Sequence, residues 1–326
     1  MLSLHNETEF AAEIVPGMNQ QQQAQHTCVI KAAFNFDEQG DLTPTDTTLN
    51  TLDQWRGEEG ESSLTAACDT VPFKQGAELL LQGTAYPTQP NQRITDVEVH
   101  FQRDDWHWQK SLRVYGERLW KRNMFDVTKT DAKAMQPTPL IYENAYGGNS
   151  EAGDKAYDAN PVGLGFITRE KECDNAQLPF IECPPPAIEK PSQRVKPASF
   201  GPIPMEWQPR LAVNLQATAD NKKPLPATLY HYAPTDQQFA KPLMGGEQLR
   251  LKGFFPEQEE VVLALPVLNV NATLVSKIER RALSLIFDTL LIDTDKREIA
   301  LIFRTAIRAN ELAVDHDGYE ITVWQD

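Results

Sequence analysis

The densest group of potential metal ligands lies at 100–107, where His100 and His107 flank Asp104 and Asp105. Imidazole and carboxylate groups are common zinc ligands, so this spacing would suit a metal clip across a hairpin. The aspartates have a simpler role, because Asp side chains at a turn hydrogen-bond the turn's own backbone. We therefore interpret the histidines as lying on the solvent-facing side of a hairpin, and we predict no metal and no other cofactor.

Nucleophilic catalysis has no clear candidate in this sequence. A Ser or Cys nucleophile needs a His that a carboxylate orients, and no Gly-x-Ser-x-Gly elbow is present. Cys28, Cys68, Cys173 and Cys183 are too widely spaced for a zinc ribbon or a small disulfide scaffold. We interpret them as reduced thiols of a cytoplasmic protein. Whether Cys173 and Cys183 are bridged stays open.

Paired carboxylates are the remaining catalytic option, because a glycosidase places two of them across the bond that it cleaves. Glu143 and Glu182 are the candidates, and the sequence does not say whether they meet in space. Glu143 lies among Tyr142, Asn144 and Tyr146, where hydrogen bonding to loop amides is the simpler role. We predict that the protein is not an enzyme, and a β-sandwich hydrolase stays an alternative.

The glycine clusters are candidates for a phosphate-binding loop; they comprise Gly147, Gly148, Gly163 and Gly165. A phosphate loop needs Gly-x-Gly-x-x-Gly or Gly-x4-Gly-Lys-Ser/Thr between a strand and a helix. Neither pattern is present, so these glycines favour buried turns where only glycine fits. The stretch 137–166 that carries them also holds prolines and tyrosines, which is typical of a long ordered loop.

The elements that must position these residues are mainly strands. Strands are predicted near 28–36, 78–86, 94–102, 106–115, 248–255, 283–292, 297–308 and 319–324, with one or two more over 261–274. Two pairs of them, 94–102 with 106–115 and 283–292 with 297–308, are predicted to form hairpins. Between 121 and 247 the alternation is lost and sixteen of the 23 prolines occur, so irregular chain with short helices is expected, one of them near 234–239. The predicted fold is all-β, mainly antiparallel and sandwich-like, with a long proline- and glycine-rich central region.

The predicted organisation has two parts. Residues 1–25 are polar and end in a Gln-rich run, which favours a loose N-terminal arm with one short strand or turn near 10–15. Residues 26–326 form a single domain, strand-rich over 26–120, loop-rich over 121–247 and strand-rich over 248–326.

Charge narrows the classes of partner. The formal net charge is −15, whereas nucleic acid and anionic membranes both attract clustered Lys and Arg. We therefore predict protein partners, with no nucleic acid and no membrane. The first ten residues lack the basic and apolar regions of a signal peptide, so the expected location is the cytoplasm.

Nine short sequence strings point to one protein family. Each string alone is weak evidence, but their joint order along the chain is specific. They are 72–78 (PFKQGAE), 114–120 (VYGERLW), 139–148 (PLIYENAYGG), 160–166 (NPVGLGF), 178–182 (LPFIE), 200–203 (FGPI), 207–210 (WQPR), 233–237 (APTDQ) and 245–247 (GGE). Together they resemble a bacterial "domain of unknown function" family encoded in type VI secretion clusters. The similarity covers about residues 31–304.

The resemblance implies a non-enzymatic adaptor or chaperone that binds a secreted toxin effector and helps to load it onto the VgrG spike or its PAAR-type tip. It supplies no catalytic residues. Its motif residues are expected to be architectural first and partner contacts second. They are Phe73, Lys74, Glu78, Arg118, Trp120, Tyr142, Glu143, Tyr146, Gly147, Gly148, Asn160, Pro161, Gly163, Gly165, Trp207, Arg210 and Glu247.

Two departures from the family pattern concern the partner-binding surface. Residues 211–223 are polar and lack the more regular segment that family members often carry, and residues 305–326 extend beyond the resemblance. A further alternative also stays open, in which surface aromatics such as Trp106 and Trp108 make the protein a sugar-binding module.

Overall fold

The computed structural model of this protein describes residues 2–150, 153–184, 188–219, 223–313 and 318–325. Strands dominate these residues, which also contain the helix α1 (Arg210–Ala219) and short 3-10 turns at Tyr142–Asn144, Glu170–Glu172, Thr235–Gln237 and Ala309–Ala313. The strands, in chain order, are β1 (Leu2–Asn6), β2 (Ala11–Met18), β3 (Ala24–Phe36), β4 (Leu42–Thr45), β5 (Gln54–Trp55), β6 (Leu64–Ala66), β7 (Ala77–Gln82), β8 (Thr84–Ala85), β9 (Ile94–Arg103), β10 (Trp106–Tyr115), β11 (Trp120–Arg122), β12 (Val127–Lys129), β13 (Thr138–Pro139), β14 (Tyr146–Gly147), β15 (Leu164–Gly165), β16 (Ile181–Glu182), β17 (Gln238–Phe239), β18 (Gln248–Lys252), β19 (Glu260–Ala264), β20 (Val270–Val275), β21 (Arg280–Leu283), β22 (Ile286–Asp293), β23 (Glu298–Arg308) and β24 (Tyr319–Gln325).

The large sheet has the strand order β17-β7-β22-β23-β3-β2, and β4 pairs with the end of β3. At its centre β3 and β23 run antiparallel, with Phe34 opposite Ile299. The hairpin of β22 and β23 closes where Asp293 accepts a hydrogen bond of 3.0 Å from the Lys296 amide. The hairpin predicted over 283–308 is therefore confirmed, with its first strand starting at Ile286.

The second sheet has the order β16-β10-β9-β18-β19 and is antiparallel throughout. Its long hairpin pairs Arg103 with Trp106, so the turn lies where the Asp104-Asp105 pair predicted it. Val97, Val99 and Phe101 are fully buried, because alternate residues of a strand point to the same face.

A shared apolar core joins the two sheets as layers of a sandwich. The same cluster of buried side chains includes Leu79 and Leu301 from the large sheet and Val99 and Leu251 from the second sheet. Fully burying a side chain of this size stabilises the fold by about 1.5–3 kcal/mol. The mostly β architecture with few short helices is therefore confirmed.

The first 25 residues correct the prediction of a loose N-terminal arm. β1 runs parallel to the C-terminal strand β24 in a smaller sheet of order β1-β24-β20-β21, and β2 forms the edge of the large sheet. Leu2 and Leu4, and then Phe10, Ala12 and Ile14, pack against the core. These apolar residues recur at every second position, a strand signal that the polar composition of the segment obscured.

Between 121 and 247 the described chain is mostly irregular, with short strands and turns. The predicted short helix near 234–239 corresponds to the 3-10 turn Thr235–Gln237. Residues 211–223, predicted to lack a regular segment, contribute most of α1, whose only buried described residue is Arg210. Its Leu, Ala and Gln residues have high intrinsic helix propensity, which polarity alone does not reveal. No helix among the described residues is long and apolar enough to span a bilayer.

Candidate functional site

Glu78 on β7 is the centre of a buried polar network on the face of the large sheet that lies away from the second sheet. Its side chain is fully buried and forms an ion pair with Lys74. One carboxylate oxygen also accepts hydrogen bonds from the amides of Tyr232 at 2.8 Å and Ala233 at 3.0 Å, and lies 3.1 Å from Nδ1 of His231. One carboxylate therefore fixes two separate segments of chain against the sheet.

The charge state of this network follows from its contacts. Burial alone would raise the pKa of Glu78, but the charge of Lys74 and the hydrogen bond with His231 outweigh it, so the pKa lies below its ordinary value. Nε2 of His231 lies 3.0 Å from the carbonyl oxygen of Gln75, which can only accept a hydrogen bond. Both ring nitrogens of His231 therefore lie within hydrogen-bond distance of an oxygen atom, one from Glu78 and one from Gln75.

A second set of buried charges continues from Glu78 along the same face. Arg304 forms an ion pair with Asp288 and donates a hydrogen bond to the backbone oxygen of Asp69. The carboxylate of Asp69 accepts a hydrogen bond of 2.8 Å from Lys31. Burial raises the pKa of Asp288, and the charge of Arg304 opposes that rise. The paired charges hold the loop around Asp69 against the sheet, a structural role.

Phe73 lies at the border of this network. It is half-buried, and its ring meets the ring of Tyr230 edge-on at 5.0 Å between centroids. Next to it, Leu64, Leu80 and Tyr232 form a small apolar cluster that covers the same face of the large sheet. Phe73 therefore helps to seal the network from water.

Arg118 organises the loop-rich middle of the chain. It is buried and donates hydrogen bonds of 2.7 Å to the carbonyl of Pro179 and 2.6 Å to the carboxylate of Glu182. Its guanidinium carbon lies 3.4 Å from the ring centroid of Tyr115. The other oxygen of Glu182 accepts a hydrogen bond of 3.1 Å from the amide of Ile188. Glu182, one of the two carboxylates considered for glycoside hydrolysis, is thus buried in a structural ion pair.

Asn160 holds the glycine-rich loop together from within. Its fully buried amide nitrogen donates hydrogen bonds to the carbonyls of Tyr142 at 2.8 Å and Tyr146 at 3.1 Å. Its backbone carbonyl accepts a hydrogen bond of 2.8 Å from the amide of Gly148. At Gly147 the chains approach so closely that a Cβ atom would lie 2.1 Å from this same carbonyl oxygen.

The glycines predicted as buried turns lie where chain segments cross. β14 and β15 pair in parallel, with Gly147 opposite Gly165. A Cβ atom at Gly163 would lie 2.5 Å from the carbonyl oxygen of Ala145. Pro161 is half-buried in the turn that follows Asn160. These residues give the loop its shape and present little surface.

Tyr142, Trp207 and Arg210 form a second anchor of the middle region. The rings of Tyr142 and Trp207 are buried and meet edge-on at 5.5 Å. Arg210 donates a hydrogen bond of 2.6 Å to the carbonyl of Ile203, and its guanidinium carbon lies 3.9 Å from the ring centroid of Tyr232. Arg210 therefore ties the start of α1 to the segment that Glu78 anchors.

Trp120 and Tyr146 form a separate apolar cluster with Phe166 and Leu178. Both rings are about 1% exposed, and the hydroxyl of Tyr146 donates a hydrogen bond of 2.9 Å to the carbonyl of Gln193. This cluster gives the loop-rich middle a core of its own, independent of the core between the sheets.

The last two predicted residues, Glu143 and Glu247, each cap a backbone segment. Glu143 accepts hydrogen bonds from the amide of Ser63 at 2.8 Å and from its hydroxyl at 2.7 Å, so its partner is a distant loop rather than its own. Glu247 is buried and accepts a hydrogen bond of 2.9 Å from the amide of Met244, and Arg103 lies 3.8 Å away. The remaining oxygen of Glu247 has no hydrogen-bond partner.

Lys110 is a functional part of the architecture that the sequence marked only as an interruption of an apolar strand face. Its buried ammonium group donates hydrogen bonds to Ser199, Asp236 and Gln237 at 2.8, 3.0 and 2.6 Å. Burial lowers the pKa of Lys110, and Asp236 opposes that shift. The lysine thereby joins the second sheet to two segments of the loop-rich middle.

An open apolar pocket lies beside Glu247, with a volume of about 770 Å³. Trp106, Phe239, Leu243 and Met244 contribute to its lining. The ring of Phe239 meets the ring of Trp106 edge-on at 5.3 Å, which fixes the aromatic wall. The sequence analysis named Asp104, Asp105, Trp106 and Glu247 of this lining but did not predict a pocket, because the pocket forms where β17 and the hairpin of β9 and β10 come together.

The histidines of the predicted hairpin do not face each other across its strands. His100 lies opposite Gln109, and His107 lies opposite Gln102. His100 instead contacts Glu98 at 3.0 Å on its own strand. Among the described residues no group of three or more His, Cys, Asp or Glu side chains is placed to hold a metal ion. Cys173 and Cys183 are not bridged to each other, because both are free cysteines.

A family model described as an uncharacterized protein conserved in bacteria (DUF2169) matches residues 21–304. The chain belongs to this family. The match ends at Arg304, so residues 305–326, which include part of β23 and all of β24, lie beyond it. No curated protein and no solved structure matches the chain significantly.

Proposed function

We propose that this member of the DUF2169 family is a non-enzymatic adaptor of type VI secretion, which binds a toxin effector in the cytoplasm and helps to load it onto the VgrG/PAAR spike. The proposal starts from the ordered strings between residues 72 and 247, whose resemblance implies that role. A net charge of −15 favours a protein partner over nucleic acid or an anionic membrane.

The observation that carries the proposal is the set of buried contacts that hold the loop-rich middle. Arg118 with Glu182, Asn160 within the glycine loop, and Trp120 in its own apolar cluster all fix irregular backbone through buried contacts. Loops held on a rigid scaffold are common recognition surfaces. A preorganised surface loses less conformational entropy on binding, so it binds a partner more tightly.

The carboxylates considered for a hydrolase have other partners. Glu182 is buried against Arg118, and Glu143 accepts two hydrogen bonds from Ser63. A glycosidase acid or nucleophile must instead reach the scissile bond. These contacts support the adaptor over a hydrolase that uses this pair.

The aromatic pocket favours sugar binding as the second candidate function. Trp106 is 41% exposed at the pocket wall, and exposed tryptophan faces suit stacking on sugar rings. A glycan array probed with the full chain and with Trp106→Ala tests it: a signal that disappears with the substitution would favour this candidate.

The adaptor proposal is tested by co-expressing the tagged full chain with the toxin and the VgrG spike protein encoded beside it. We expect the toxin to co-elute in a fixed ratio through affinity and size-exclusion steps, and a toxin from an unrelated cluster to remain unbound. A chain that binds neither the toxin nor the spike would refute the proposal.

A further inference from the structure

The hairpin formed by β11 and β12 carries the two most exposed large apolar side chains among those described. Phe125 is 93% exposed and Met124 is 88% exposed, and they are adjacent at the tip of the hairpin. Single exposed apolar residues are common on soluble proteins, but a contiguous apolar projection marks an interaction site. Neither residue belongs to the strings that carry the family resemblance.

The backbone of this tip is fixed by its own side chains. The side-chain oxygen of Asn123 accepts hydrogen bonds from the amides of Phe125 at 2.9 Å and Asp126 at 2.7 Å. The carboxylate of Asp126 accepts a hydrogen bond of 2.8 Å from the amide of Val127. The amide of Asn123 closes the turn by donating to the carbonyl of Asp126 at 3.0 Å. Met124 and Phe125 are therefore presented in a defined geometry.

The base of the hairpin is equally well anchored in the loop-rich middle. Trp120 is 1% exposed in the apolar cluster with Tyr146, and its amide donates a hydrogen bond of 2.9 Å to the carbonyl of Ala176. The amide of Arg122 donates to the carboxylate of Asp174 at 3.0 Å. The base of the hairpin is thus fixed by buried contacts, which lowers the entropy cost of binding through the tip.

Charge around the tip identifies the chemistry of its partner. The hairpin 120–129 contains Lys121, Arg122 and Lys129 against Asp126, and the contacting Asp174 adds a second carboxylate, so the local formal charge is three minus two, or +1, in a chain of −15. Complementary charges at an interface set specificity and the rate of association. The matching surface is an apolar pocket rimmed by Asp and Glu side chains.

We propose that the tip residues Met124 and Phe125 insert into an apolar, acid-rimmed pocket of the toxin, so that this hairpin is the anchor by which the adaptor holds it. The inference rests on the proposed adaptor function and names its contact element. A bilayer is the less suitable acceptor, because a protein of charge −15 is repelled by anionic lipid headgroups.

The test compares the full chain with the double variant Met124→Ser/Phe125→Ser in binding to the purified toxin by calorimetry. The matched control is Leu52→Ser/Ile278→Ser, which removes two apolar side chains that are 76% and 67% exposed elsewhere on the surface. We expect the tip variant to bind at least about 30-fold more weakly, the loss typical of an interface hot spot, and the control to change by less than about threefold. Thermal unfolding of both variants should match that of the wild type, because the replaced side chains contact water.

A photoreactive benzoylphenylalanine at position 125 gives an independent readout. We expect it to cross-link to a toxin peptide that neighbours acidic residues, whereas the same group at position 52 should not cross-link. Equal toxin affinity of the tip variant and the wild type would overturn the inference and leave the adaptor function standing. A wild type that binds neither toxin nor spike would overturn both. Tip-dependent sedimentation with phosphatidylglycerol vesicles, with toxin affinity unchanged, would assign the tip to a membrane instead.

Discussion

Replacing Glu78 by glutamine should destabilise the protein strongly although the two side chains have nearly the same shape. Glutamine cannot neutralise the buried ammonium group of Lys74, whose side chain is 2% exposed. The glutamine side chain also has an amide nitrogen, which is itself a donor, in place of one carboxylate oxygen. It would therefore face one of the hydrogen-bond donors that surround the carboxylate in the wild type, which belong to Lys74, His231, Tyr232 and Ala233.

The expected cost is about 3–5 kcal/mol, the range for removing one partner of a buried ion pair. At roughly 2–4 °C per kcal/mol for large domains, this corresponds to a fall in Tm of about 6–20 °C. Circular dichroism during heating at pH 7.5 measures it. The matched control is Glu61→Gln: Glu61 is exposed, so this substitution should change the Tm by less than about 2 °C.

The same variant should also change how stability depends on pH. The pKa of Glu78 in the folded protein lies below its ordinary value of about 4.3, so the unfolded chain takes up this proton more readily. The stabilisation is therefore complete above about pH 4.3 and is lost as the pH falls through the lower, folded-state pKa. The difference in Tm between wild type and Glu78→Gln should be largest near neutral pH and should narrow in acid. A variant that melts with the wild type at pH 7.5 would show that the network contributes no net stability.

Two further predictions concern backbone crowding and thiol burial. Gly148→Ala should lower the free energy of unfolding by at least about 1–3 kcal/mol and speed native-state proteolysis of the 142–166 loop, because Gly148 has φ +94° and a Cβ atom would lie 2.3 Å from the carbonyl oxygen of Gly163. The matched control is Gly153→Ala, since Gly153 has φ +68° but lies in open space, and equal effects of the two substitutions would contradict the crowding argument. Cys28 should resist alkylation at pH 8 until the protein unfolds, because its side chain is inaccessible and burial raises the pKa of its thiol to about 12. Burial raises the pKa of the Cys183 thiol too, but this residue is exposed and should react faster than Cys28; rapid labelling of native Cys28, read by mass spectrometry, would contradict the prediction.

The strands and hairpins were predictable because their signals are local. Alternation in 94–102 and 297–308, with Asp-rich turns between apolar runs, determines which side chains face the core regardless of what covers them. The paired glycines Gly147 and Gly148 likewise predicted a buried turn in which only glycine fits. Polar composition obscured the alternation of Leu2 and Leu4 in β1, which pairs with the distant β24, and the helix propensity of α1.

The sequence by itself determined the mostly β architecture, the loop-rich character of the middle and the types of residue that hold it. Only the tertiary structure decided the partners of those residues: Glu78 binds His231, Arg118 binds Glu182, and Glu143 reaches Ser63, pairs separated by 153, 64 and 80 positions. It also decided that Phe125, one apolar residue among many, lies in water. Burial and long-range pairing depend on how the whole chain packs, and no single stretch of sequence contains that information.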